Sequence, residues 1–158
     1  MRKLILVAAV VFSLVSCEEE TSSNNPSFET TIGYRFWRAE SWSASVTNGT
    51  LVVYGRDLTE QVMITIPNYE LGKNYELGQN NTHKVEYSIV DDNDAVTTYS
   101  TGNGIGSGYV RLESAEFGAP NTITGRFMAE VKGTGALTQT LHNGIFYRIP
   151  ITQPVATE

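Results

Sequence analysis

Side chains able to do chemistry are few in this chain and widely spread. His83 and His142 are its only histidines, and neither has a second histidine two or four residues on. A zinc site would therefore need carboxylates brought in from distant segments. No Gly-x-Ser-x-Gly turn presents a serine nucleophile. Gly102, Gly104, Gly106 and Gly108 do not open a helix, so they read as a bend or mobile loop and not as a phosphate cradle. Asp91-Asp92-Asn93-Asp94 is the one cluster with oxygens for calcium. Calcium takes about six to eight oxygens, more than a tight turn can supply, and the glycine and distal glutamate of an EF-hand are missing. A solvated hairpin turn is the better reading. The aromatics hold more binding potential, because Tyr34, Phe36, Trp37 and Trp42 fall within nine residues. Such rings stack on sugar faces or line apolar pockets, which makes Tyr34, Trp37 and Trp42 a candidate ligand platform. Tyr34 and Phe36 would share one face of a strand and Trp37 the other, so at least one of these groups belongs to the core. Arg35 and Arg38 would pair with acidic ligands or solvate that strand. This inventory holds no catalytic constellation and calls for no metal and no cofactor.

The elements that must position these residues are strands. Val62, Ile64 and Ile66 alternate with Met63 and Thr65, and Val85, Tyr87 and Ile89 with Glu86 and Ser88. The longest run sets Ile123, Gly125, Phe127, Ala129 and Val131 on one face against Thr124, Arg126, Met128, Glu130 and Lys132 on the other. Period-two alternation marks half-buried strands with one wet side, and no window after Cys17 carries a helical stripe. Asn48-Gly49 predicts a two-residue hairpin, and residues 91–94 a second. Tyr-Glu-Leu-Gly occurs at 69–72 and again at 75–78, which reads as two successive turns. About eight or nine antiparallel strands are expected, at 28–38, 41–47, 50–56, 61–67, 82–90, 95–101, 107–114, 122–133 and 144–151. The expected fold is all-β, a sandwich or a barrel, forming a single domain over 28–158.

The first 27 residues read as an address. Arg2 and Lys3 precede the mostly apolar run Leu4 to Val15, twelve residues long. As a helix this spans about 18 Å, too short for a roughly 30 Å hydrocarbon core, and it fits a signal peptide over 1–16. Leu14-Val15-Ser16-Cys17 resembles the lipobox of proteins cleaved by the lipoprotein signal peptidase. The resemblance implies a thioether to diacylglycerol on Cys17, the only cysteine, and a further acyl chain such as palmitate on its freed amine. Two or three chains give stable anchoring where one is marginal. Residues 17–27 then form an acidic and polar tether. Glu18, Glu19 and Glu20 resemble the export signal of Bacteroidetes lipoproteins, which implies the cell-surface face of the outer membrane; the alternative is a solvated spacer on the periplasmic face. The chain carries eleven Lys+Arg against seventeen Asp+Glu, a net charge of -6. Losing Arg2 and Lys3 with the signal leaves nine against seventeen, or -8. That balance argues against nucleic acid as a partner.

Five short motifs occur in order along the domain. They are Gly33…Trp37-Arg38-Ala39, Gly72…Tyr75-Glu76-Leu77-Gly78, Gly108-Tyr109-Val110-Arg111-Leu112, Ile123-Thr124-Gly125-Arg126-Phe127 and Asn143-Gly144-Ile145-Phe146. Together with the lipobox they resemble a family of small Bacteroidetes lipoproteins of unknown function, over roughly residues 28–151. The resemblance implies an anchored β domain and brings no catalytic residues. The expected function is a membrane-anchored, non-enzymatic binding or assembly module. Its membrane contact runs through Cys17, and its partner is an envelope protein, a glycan or a small apolar ligand. The alternatives are a lipocalin-like carrier and, third, a hydrolase assembled from separated loops.

Overall fold

The computed structural model describes residues 25–80, 82–114 and 121–152. The expected signal peptide, Cys17 and Glu18 to Glu20 lie outside the described residues. Within them are eleven strands: β1 (Ser27–Ile32), β2 (Arg35–Arg38), β3 (Ser41–Thr47), β4 (Thr50–Arg56), β5 (Glu60–Pro67), β6 (Asn74–Leu77), β7 (Lys84–Val90), β8 (Val96–Ser100), β9 (Ser107–Leu112), β10 (Thr122–Lys132) and β11 (Thr138–Thr152). One 3₁₀ turn at Thr134–Ala136 joins the last two. The fold is all-β, as the alternation predicts.

The count exceeds eight or nine for two local reasons. Gly33, at φ 61°, folds the expected strand 28–38 back on itself, so β1 and β2 pair antiparallel from Ile32↔Arg35 to Glu29↔Arg38. The second Tyr-Glu-Leu-Gly is also a strand and not a turn: β6 pairs with β9, burying Tyr75 and Leu77. Four residues of alternation were too few to stand out between two turns. The last strand also starts earlier than expected, because polar Thr138 to Thr140 are held by β10. Asn48 (φ 50°) and Gly49 (φ 76°) form the expected hairpin, with Thr47 opposite Thr50.

All eleven strands hydrogen-bond into one sheet, ordered β2-β1-β11-β3-β4-β5-β7-β8-β10-β9-β6, with β10 also paired to β11. Pairings therefore run from β11 through β3, β4, β5, β7, β8 and β10 and return to β11. β11 makes this possible by its length: it meets β10 from Thr138 to Pro150, β1 from Leu141 to Tyr147, and β3 at Ile151 and Thr152. The last pairing is parallel, a departure from the all-antiparallel expectation. It arises because β11 runs on past β1, and Thr152 Oγ1 donates to the Ala44 carbonyl at 2.9 Å.

The apolar faces meet around four rings. Phe28 lies edge-on to Trp37, Phe127 and Phe146, with centroids 6.0, 5.7 and 6.1 Å away. On β10 and β11 the register sets Gly125 opposite Phe146 and Phe127 opposite Gly144. Each phenyl ring covers the facing glycine, where a Cβ would fall 2.3 Å from Phe146 and 2.4 Å from Phe127. Phe28 likewise occupies the space over Gly55 of β4. Rings this large pack together here only because the position each one covers carries no side chain.

Candidate functional site

The structure separates the three platform residues. Tyr34 is fully exposed in the β1–β2 turn and Trp42 is 36% exposed on β3, but Trp37 is only 2% exposed. Strand alternation turns Trp37 inward, so its ring is core and closed to a ligand. Its indole Nε1 donates to Asp57 Oδ2 at 2.7 Å, while Asp57 Oδ1 accepts from the backbone N–H groups of Thr59 and Glu60. Arg35, two residues before Trp37, donates to both Glu60 oxygens at 2.6 and 2.7 Å. Glu60 also accepts from the Tyr87 hydroxyl. The hydrogen bond to Glu60 raises the Arg35 pKa against the opposing effect of burial. Burial first, then the Glu60 hydrogen bond, raises that of Tyr87. Each carboxylate here already accepts from fixed donors, so the cluster works as a clamp between β2 and the β4–β5 turn.

The remaining sequence candidates stay apart as well. His83 packs edge-on to Tyr75 at 4.9 Å, with Nδ1 buried and without a partner among the described residues, and burial lowers its pKa. His142 is exposed on β11, where its carbonyl accepts from Thr30 Oγ1 at 2.9 Å. Asp91 Oδ1 accepts from the N–H groups of Asn93 and Ala95, which makes 91–94 a self-capped turn. Among the described residues no three His, Cys, Asp or Glu side chains converge as metal ligands.

A site the sequence did not single out lies on the wet face of β6, β9 and β10. Alternation in β9 turns Val110 and Leu112 inward and leaves Tyr109 and Arg111 exposed; in β10 it leaves Arg126 and Met128 exposed. Register then sets Asn74 opposite Arg111, and Arg111 opposite Arg126. Asn74, Tyr109, Arg111 and Arg126 line an open groove of about 410 Å³. A smaller hollow of about 110 Å³ continues from it, sharing Tyr109 and Arg126 and adding Asn143 and Ile145. The sequence does carry two wet-face arginines on neighbouring strands of an acidic chain. Their direct opposition depends on the β9–β10 register, which local alternation does not encode.

Taken together, fold and site define an all-β domain with a ring-filled interior and a polar, arginine-bearing groove on an outer face. The chain belongs to the family described as a domain of unknown function (DUF6252), which matches residues 24–150. No curated protein and no solved structure matches the chain. Four of the five motifs behind the family resemblance have visible structural work. Trp37 caps the core, Tyr75 closes the 70–75 turn through its hydroxyl, and the Gly125–Phe127 and Gly144–Phe146 motifs cover one another.

Proposed function

We propose that this is a lipid-anchored protein of the outer membrane, its β domain a non-enzymatic binding head carried on the tether of residues 17–27. We read the circuit of pairings as a two-layer sandwich, β2-β1-β11-β10-β9-β6 over β3-β4-β5-β7-β8, joined at the ends of β10 and β11. Phe28 of the first layer seated on Gly55 of the second supports that reading. The groove then lies on the outer face of the first layer, open to passing ligands. One observation carries the binding role: Arg111 and Arg126 are direct cross-strand partners on an open face, and like charges so placed are destabilising unless something else gains from them. The four packed rings between the layers favour this outer groove over an apolar carrier site inside.

The anchor is tested by labelling with a fatty acid: Cys17→Ser loses the label, and undiminished label overturns the lipoprotein reading. Replacing Glu18, Glu19 and Glu20 together with Ala keeps the label but protects the domain from protease on intact cells. Equal accessibility of the wild-type and triple-Ala proteins overturns surface export.

A further inference from the structure

The charge arrangement of the groove narrows its ligand, an inference that rests on reading the groove as a binding surface. Arg111 and Arg126 stand opposite one another, with Cβ atoms about 5 Å apart in such a pair. Arg126 Nε lies 3.7 Å from Glu113 Oε1, a long and exposed contact. Arg111 has no hydrogen-bond or ion-pair partner among the described residues. Arg35, Arg38, Lys73, Lys84 and Lys132 each sit in an ion pair, those of Arg38 and Lys132 as long as that of Arg126. In this acidic protein two guanidinium groups thus stand side by side in a groove, and among the described residues only that of Arg126 meets a carboxylate.

The neighbours specify more than charge. Tyr109, 38% exposed, offers a ring to the same space, and Asn74 offers a carboxamide. Two guanidinium forks match the oxygens of a carboxylate or sulfate, a tyrosine ring can lie on the C–H face of a sugar, and an amide exchanges hydrogen bonds with a hydroxyl. We propose that the groove binds acidic saccharides, with the anionic group held between Arg111 and Arg126 and the sugar ring against Tyr109. An acidic peptide would answer the two charges but leave the ring and the amide unused.

Calorimetric titration of the full chain tests this with polygalacturonate and chondroitin sulfate as carboxylate and sulfate probes. Dextran, polyglutamate and phosphatidylglycerol vesicles are the comparisons. At least one acidic saccharide should bind, with affinity falling as salt is raised. Arg111→Gln and Arg126→Gln should each weaken it about tenfold or more, the worth of a charge-assisted hydrogen bond. Both side chains are exposed, so each variant should keep the wild-type melting temperature or exceed it. The proposal is overturned if neither acidic saccharide binds, if the arginine variants bind like wild type, or if polyglutamate or the vesicles bind as tightly. Dextran binding that survives both arginine variants but is lost in Tyr109→Ala would remove the anion and leave the groove as a binding surface. Absence of binding by every probe would take the groove reading with it.

Discussion

Replacing Phe127 with Ala removes a ring that touches three partners at once. It stacks on Phe146 (centroids 6.5 Å apart), meets Phe28 edge-on, and covers Gly144. A buried Phe→Ala change costs about 3–5 kcal/mol, a large share of a domain stability of about 5–15 kcal/mol. Gly144→Ala alone forces a methyl to 2.4–2.5 Å from three atoms of the Phe127 ring, and overpacking of that kind costs about 1–3 kcal/mol. If the two sites were independent, the double variant would lose the sum, about 4–8 kcal/mol. The structure says otherwise, because removing the ring vacates the space that the methyl needs. Gly144 does not adopt positive φ, so Ala fits its backbone and stabilises through the unfolded chain by about 0.4–1 kcal/mol. The double variant should therefore be no less stable than Phe127→Ala alone, a coupling of about 1–3 kcal/mol. The mirror pair is the control. A methyl on Gly125 meets Phe146 but also the Arg111 carbonyl oxygen at 2.6 Å, and backbone cannot vacate, so Phe146→Ala should not rescue Gly125→Ala. Urea unfolding followed by circular dichroism measures all six variants. Additive losses in the Phe127–Gly144 cycle would refute the packing argument, and a Phe127→Ala loss under about 1 kcal/mol would put that face in solvent.

Two further predictions concern the clamp. Burial and Glu60 hold the Tyr87 hydroxyl above its ordinary pKa of 10.0, so the unfolded chain releases that proton first as pH rises. Tyr87 therefore contributes fully below pH 10, and its contribution falls above it by up to about 1.4 kcal/mol per pH unit. Urea midpoints of wild type and Tyr87→Phe should converge between about pH 10 and 11; curves that stay parallel would contradict the linkage. Trp37→Phe keeps a ring against Phe28 but removes the donor to Asp57. Thermal melts should show a loss of about 1.5–3 kcal/mol, and a change under about 0.5 kcal/mol would mean the indole bond is not needed.

What the sequence determined by itself was whatever depends on neighbours along the chain. Alternation from Ile123 to Val131 requires a strand with one dry face, and that face is buried throughout. Asn48-Gly49 requires a tight hairpin because both positions must take positive φ. The split of residues 28–38 escaped this reading, since a single glycine between two alternating runs signals a turn only weakly. Tertiary structure alone decided which strands became neighbours. The β9–β10 register set Arg111 against Arg126, and the β10–β11 register set each phenylalanine over the other strand's glycine. It also decided which aromatic faced in, sending Trp37 to Asp57 and leaving Tyr34 in solvent. The physical reason is one of range. Backbone preference and alternation act over two to four residues, whereas the groove and the ring cluster are built from residues up to a hundred or so apart. Those residues meet only when burial of the whole apolar face selects one pairing over its one-residue slips.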